Sequence, residues 1–203
     1  MKIEKNDMLL EEILKRLQNY AAERRSDKVH VSELVYCLRK AYFRRVQPKP
    51  VGLVELGFFI DGARRHAALQ ALFPQSVVEK EVRKLGVIGH IDILSDLPIE
   101  FKTTRAMKNI LKEHYVRQLA YYCVLANKES GALLIYSIND FKEPFHAYRI
   151  TLNEDDFSMY ERSLKLRRDL LKHALSKKDP SALPAGESWE CRHCPYFEEC
   201  GVI

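Results

Sequence analysis

Between residues 77 and 103 apolar side chains recur at every second position, while on either side of that stretch they recur at every third or fourth. A chain that switches period in this way must pack strands against helices, because the two spacings expose different apolar faces and each needs the other to bury it. Residues 77–85 and 87–94 flank Gly86 as a predicted hairpin, and a third strand, 99–103, follows the Asp96-Leu97-Pro98 turn. Helical spacing precedes them. A helix over 5–24 carries Met8, Leu9, Ile13, Leu14 and Leu17 in one stripe, Ser32 is a predicted N-cap for a helix over 33–45, and a third helix runs over 53–73 after the break at Pro48 to Gly52. Beyond the strands, helical spacing returns over 108–126. Strands over 132–138 and 145–150 and a long helix over 154–176, begun at Asn153, complete the pattern. One helix thus crosses between the third and fourth strands, which predicts an α/β fold with a mixed β-sheet flanked by helices.

The 203 residues make one compact unit, and a hydrophobic content of 46% with only 8 Gly and 8 Pro excludes a disordered or collagen-like chain. The formal charge of +5 is compatible with an anionic partner and equally with ordinary solubility. No basic-then-apolar leader opens the chain, and no run approaches the roughly 18 apolar residues of a membrane span, so a cytoplasmic protein is expected. In that compartment closely spaced cysteines are metal ligands more often than disulfides. Cys191, Cys194 and Cys200 form C-x2-C-x5-C near the end of the chain, Cys37 lies far upstream, and Cys123, inside a helical pattern, reads as a small core residue. Four thiolates suit zinc or an iron-sulfur cluster equally by ligand type. The long gap after Cys37 favours the cluster and makes it a clasp between the N-terminal helical region and the C-terminal segment. His193, between two ligands, reads as a bystander.

Two strands carry the chemistry. In Ile99-Glu100-Phe101-Lys102-Thr103 the alternation sends Glu100 and Lys102 to one face, and in Gly89-His90-Ile91-Asp92 it sends His90 and Asp92 to one face. If the strands are antiparallel neighbours, Asp92 lies near Glu100, and converging carboxylates call for a cation such as Mg²⁺ or Mn²⁺. The bland alternative is a solvated strand face of alternating charge, and it is the stronger reading for an isolated E-x-K. Company changes that balance: Gly62 with His66 on the preceding helix, and Gln118 with Tyr122 at i, i+4 on the following one. His90 reads as packing or support for the site, not as a ligand.

In this order, G-x-x-x-H, G-H-I-D, E-x-K and Q-x-x-x-Y, the set resembles the RecB-like branch of the PD-(D/E)XK nuclease superfamily. The cysteine spacing is similar to that of its iron-sulfur members, and the size is most similar to that of the CRISPR-associated exonuclease family, the fourth of the numbered Cas families. The resemblance implies an N-terminal helical region over 1–52, a nuclease core over 53–180 and a cysteine segment over 181–203. It implies that His66, Asp92, Glu100 and the Phe101 carbonyl hold Mg²⁺ or Mn²⁺, that Lys102 positions or deprotonates the attacking water, and that Gln118 and Tyr122 position substrate. It further implies that Cys37, Cys191, Cys194 and Cys200 hold an iron-sulfur cluster, 4Fe-4S in preference to 2Fe-2S.

The activity so implied is exonucleolytic cutting of DNA, preferably single-stranded and with endonucleolytic cutting alongside, in CRISPR spacer acquisition. The integrase complex of the first and second Cas families would be its partner. Arg39, Lys40, Arg44 and Arg45, among Tyr42 and Phe43, and Arg64 with Arg65 are candidate DNA contacts, against a reading of each as a solvated helix face. A stand-alone RecB-type repair nuclease and a non-catalytic nucleic-acid-binding module with a structural clasp are the competing readings.

Overall fold

The computed structural model describes residues 7–22, 28–192 and 194–201. Helix α1 (Asp7–Ala22) opens the chain. The two ends of the expected 5–24 helix, like His193, lie outside the described residues. A two-residue strand, β1 (Val29–His30), leads into α2 (Val31–Val35) and α3 (Leu38–Val46), and α4 (Leu53–Gln70) follows. Strands β2 (Val78–Lys84), β3 (Val87–Leu94) and β4 (Pro98–Thr104) form the period-two region. Then come α5 (Glu113–Ala126), β5 (Ser130–Ser137), β6 (Phe145–Thr151), α6 (Glu154–Lys177) and two short turns of helix, α7 (Ser188–Arg192) and α8 (Phe197–Cys200).

The sheet is mixed, as the helix crossing between strands implies. β2 pairs antiparallel with β3, β3 antiparallel with β4, β4 parallel with β5 and β5 antiparallel with β6, while β1 lies parallel to the start of β3. α5 makes the β4-to-β5 crossover that a parallel pair requires. Every residue from Gln118 to Leu125 on it is buried, the mark of a helix enclosed on all sides. One face of α5 packs on β5 through Leu119, Cys123, Leu133 and Ile135. Another joins Tyr121, Tyr122 and Val124 to the larger core with α2, α3 and α6. The helix sits so close to the sheet that a Cβ on Gly89 would meet the Tyr122 ring at 2.9 Å. Cys123 is fully buried, and that burial pushes its thiol up to about 12.

Three local expectations change. The helix over 33–45 is broken, because Tyr36 is extended (φ −100°, ψ −162°) and Cys37 starts a new helix as its N-cap, its Sγ accepting the Lys40 N–H at 3.5 Å. Ser32 is not a cap. His30 stands at that position, its N–H donated to the Glu33 carboxylate at 2.9 Å, the reverse arm of a capping box. Helix α5 begins at Glu113 and not near 108, because Asn109 is left-handed (φ 49°) and Lys112 is the cap. Ile110 is nevertheless buried, so the apolar spacing there reports packing without helix. β1 escapes detection because two residues carry no period.

Candidate active site

The site begins where the sheet comes apart. β3 and β4 pair only at Ile93 with Ile99 and Leu94 with Pro98. Where the next ladder bonds would form, the Asp92 carboxylate fills the fork, one oxygen accepting the Phe101 N–H at 2.7 Å. Its other oxygen lies 3.2 Å from Nδ1 of His66, which α4 brings across the fork. Asp92 is buried and satisfied on both oxygens, so the carboxylate serves as backbone partner as well as site residue.

Along β4 the alternation turns Glu100 and Lys102 toward α5. Lys102 Nζ donates to Glu100 Oε1 at 2.6 Å and to Gln118 Oε1 at 2.8 Å. The Gln118 amide donates back to Glu100 Oε1 at 2.8 Å and to the Tyr122 hydroxyl oxygen at 3.0 Å. The i, i+4 pair on α5 therefore closes one network with the E-x-K strand. Asp92, His66, Glu100, Lys102, Gln118 and Tyr122 come from four elements and meet in one place.

Burial governs the electrostatics. It pushes the Glu100 carboxyl up to about 7, with the Lys102 ammonium pulling down and the Asp92 carboxylate adding to the rise. For Lys102, burial acts to lower the ammonium, but the Glu100 carboxylate and then the Tyr36 hydroxyl outweigh it, so the net shift is upward. Burial likewise acts to lower His66, and the Asp92 contact turns the net shift upward. The Tyr122 hydroxyl is held well above its ordinary value by burial and by Glu100.

One atom is left over. Glu100 Oε2 is buried without a hydrogen-bond partner. A buried, unpaired carboxylate oxygen costs free energy of order 1–3 kcal/mol unless something outside the protein meets it. Glu100, Asp92 and the His66 imidazole offer hard oxygens and one nitrogen, a donor type that suits Mg²⁺ or Mn²⁺. Among the described residues, no three His, Cys, Asp or Glu side chains close around a single point. His66 and Asp92 instead face each other.

The four clasp cysteines come together. Cys37, Cys191, Cys194 and Cys200 all line one small cavity of about 20 Å³, walled by Phe43 and Tyr196, whose rings stack at 5.7 Å. Gly186 forms part of the wall, and a Cβ there would meet Cys37 Sγ at 3.0 Å. Four thiols thus border one apolar cavity, but among the described residues they form no group that closes around a metal. The thiols do not converge on a point: Cys191 Sγ lies 3.7 Å from the Gly186 carbonyl, and Cys37 Sγ takes the Lys40 N–H. The two ends of the chain are joined here by other means. Arg39 donates to the carbonyls of Leu183 at 2.8 Å, Ser181 at 3.2 Å and Cys200 at 3.3 Å, and Lys49 donates to the Pro195 carbonyl at 2.7 Å.

The basic residues are dispersed. Arg39 is the strap just described, Arg45 holds the Glu33 carboxylate at 2.7 Å, and Arg44 bonds Glu55 at 2.7 Å with Lys40 at 4.0 Å from the same carboxylate. Tyr42 and Phe43 are buried core. Arg65 bonds Asp61 at 3.1 Å and lies over the Tyr136 ring, and Arg64 is exposed. His90 is exposed and stacks on His30 at 5.8 Å, away from the Asp92 contacts. Sequence reasoning missed an aromatic group beside Lys102: Tyr115 under its ammonium at 5.6 Å, His114, Tyr36 and Trp189. Its members come from three distant segments without a shared motif, and the only signal was composition.

The fold has solved counterparts. SSO0001 superposes with a TM-score of 0.67 at 20% identity, over 93% of this chain and 94% of that one. The alkaline exonuclease LHK-Exo from Laribacter hongkongensis gives 0.52 at 14% identity, over 83% and 95%. A phage-related exonuclease from Haemophilus somnus 129PT gives 0.51 at 9% identity, over 78% and 100%. No curated protein matches the chain. The sequence profile of the PD-(D/E)XK nucleases matches residues 4–201, nearly the whole length, so the chain belongs to the PD-(D/E)XK nuclease superfamily.

Proposed function

We propose that the protein is a divalent-metal-dependent DNA exonuclease acting on single strands, with the E-x-K strand as its catalytic element. The observation that carries this reading is the unpartnered, buried Glu100 Oε2, on a residue bonded to Lys102 and one position before the Phe101 N–H that Asp92 accepts. A bound Mg²⁺ or Mn²⁺ would supply hydroxide at neutral pH and offset charge on the attacked phosphate. His66, Asp92, Glu100 and the Phe101 carbonyl would hold it.

The chain's own groups do the rest. Lys102, which donates to the Glu100 carboxylate at 2.6 Å, positions or deprotonates the attacking water beside the phosphate. Gln118 holds both Lys102 and Glu100 in place, and Tyr122 anchors Gln118. Glu100→Ala and Lys102→Ala should each abolish Mn²⁺-dependent cleavage of labelled single-stranded DNA while leaving the circular dichroism and melting cooperative. Undiminished cleavage by both variants overturns the assignment.

The same reading gives Cys37, Cys191, Cys194 and Cys200 an iron-sulfur cluster, supported by their shared cavity and the Gly186 cradle. It places the enzyme in the cytoplasm, trimming DNA for CRISPR spacer acquisition with the integrase of the first and second Cas families, which the order of motifs and the cysteine spacing support. A colourless protein with stoichiometric zinc would overturn the cluster. Failure to co-purify with, or to supply trimmed ends to, that integrase would overturn the role.

A further inference from the structure

Beside Lys102 the surface is neither basic nor plain. The Tyr115 ring lies under the Lys102 ammonium at 5.6 Å, His114 packs edge-on to Tyr115 at 4.5 Å, and Trp189 tilts against His114 at 5.1 Å. Tyr36 completes the group, 5.2 Å from His114 and 6.4 Å from Trp189. Each comes from a place that fixes it: Tyr36 from the extended break between α2 and α3, His114 and Tyr115 from the first turn of α5, and Trp189 from α7 in the C-terminal segment. The Trp189 indole N–H is tied to Glu187 at 2.7 Å, yet 46% of the residue stays exposed. The ring is thus fixed at its polar edge and by its two ring neighbours and is left partly open, as a surface for stacking requires.

The group opens onto a groove of about 410 Å³ that Tyr36, Trp189, Lys40 and Arg44 share with three carboxylates. Each of those carboxylates is already engaged, Glu33 by Arg45, Glu55 by Arg44, and Glu190 by the backbone N–H groups of Cys37 and Glu187. The groove is therefore close to neutral, and neutral walls with open ring faces favour flat, uncharged groups over phosphates. The position of His114 points the same way: burial and then the neighbouring Lys102 drive its imidazole down to about 4. It thus stands at neutral pH as an uncharged ring in the stack.

We propose that Trp189, with Tyr36 and His114, is a stacking platform for unpaired bases adjoining the phosphate held at Lys102, which makes these residues determinants of preference for single strands. The proposal rests on the nuclease reading above and adds the part of the site that reads bases. Stacking tolerates any base, because each has a π-face, but it requires the base to be unpaired and present. Trp189 is the only tryptophan in the chain, so its emission reports the contact directly.

The test uses the full-length protein without added metal, in EDTA, titrated with a single-stranded oligonucleotide and with an abasic strand of the same length. The normal strand should quench Trp189 emission saturably, and the abasic strand should bind at least about 5- to 150-fold more weakly, the range that loss of one stacked base spans. In Mn²⁺, Trp189→Ala should raise KM by a similar factor with kcat little changed, and Trp189→Phe should restore most of it. Equal affinity for the two strands, or an unchanged KM in Trp189→Ala, overturns the platform. The strand comparison needs no variant, so it decides the matter even if Trp189→Ala disturbs the clasp. Should Glu100→Ala cut as well as the unaltered protein, the nuclease reading fails. Should Glu100→Ala be inactive while the Trp189 measurements are flat, the platform alone fails.

Discussion

Replacing Glu100 by Gln isolates the free energy stored in one buried charge. In the metal-free protein the carboxyl is 2% exposed and burial lifts it from 4.5 to about 7. With so little exposure no discount for solvent screening applies, and a rise of that size corresponds to about 3 kcal/mol. The folded state holds the proton more tightly than the unfolded one. Stability is therefore full below the unfolded value and falls as pH rises from about 4.5 to about 7, then levels. Gln carries no titrating group and resembles the protonated acid in shape, so Glu100→Gln lacks that slope.

Urea unfolding in EDTA at pH 4.5 and at pH 8 should show the variant gaining up to about 3 kcal/mol on the unaltered protein between the two, roughly 6–12 °C in melting temperature for a domain of this size. His66, which burial lowers and the Asp92 contact raises further, keeps both influences in the two proteins, so the comparison largely removes its effect. In the unaltered protein Lys102 titrates in the alkaline range; in Glu100→Gln it loses the carboxylate that outweighs its burial, which further favours the variant at the higher pH. Adding Mn²⁺ at pH 8 should stabilise the unaltered protein and leave Glu100→Gln nearly unmoved. A difference between the two proteins that stays constant with pH would refute the claim that burial outweighs the Lys102 ammonium at Glu100.

Three further outcomes follow from contacts. Gly89→Ala drives a Cβ into the Tyr122 ring and should cost about 1–3 kcal/mol in urea melts while lowering kcat, because Tyr122 anchors Gln118; an unchanged kcat would detach Tyr122 from the site. Arg39→Ala removes three carbonyl bonds and should speed amide hydrogen exchange across residues 181–200, leaving the β4–β5 ladder protected; protection unchanged in 181–200 would show the strap is idle. Asp92→Ala strands the buried Phe101 N–H and should cost about 1–3 kcal/mol, whereas Asp92→Asn keeps an acceptor and should lose cleavage with far less effect on melting; equal melting losses would refute the distinction.

Much of the site was legible because its parts lie on regular elements. The alternation in Ile99 to Thr103 places Glu100 and Lys102 together, and i, i+4 spacing places Gln118 with Tyr122, so each pair was readable before its neighbours were known. What stayed hidden has no period. The break at Tyr36 lies inside an unbroken apolar pattern. Arg39 and Arg45 read as a basic face and turn inward, because carbonyls of the distant C-terminal segment meet Arg39 and the Glu33 carboxylate of the preceding helix meets Arg45. The aromatic group draws on Tyr36, His114 and Trp189, over 150 residues of chain.

The fork between β3 and β4 has a consequence for how such a chain can lose its activity. Asp92 closes the seam of the sheet with the oxygen that takes the Phe101 N–H, so the residue is bound into the architecture as firmly as into the chemistry. Glu100 spends only Oε1 on the protein, accepting from the side chains of Lys102 and Gln118 and from no backbone group of the sheet, and its other oxygen supports nothing there. A descendant that survives as a mere binding protein should therefore shed Glu100 or its partner Lys102 early and keep Asp92. An aspartate standing alone at that seam would be the relic of a former nuclease.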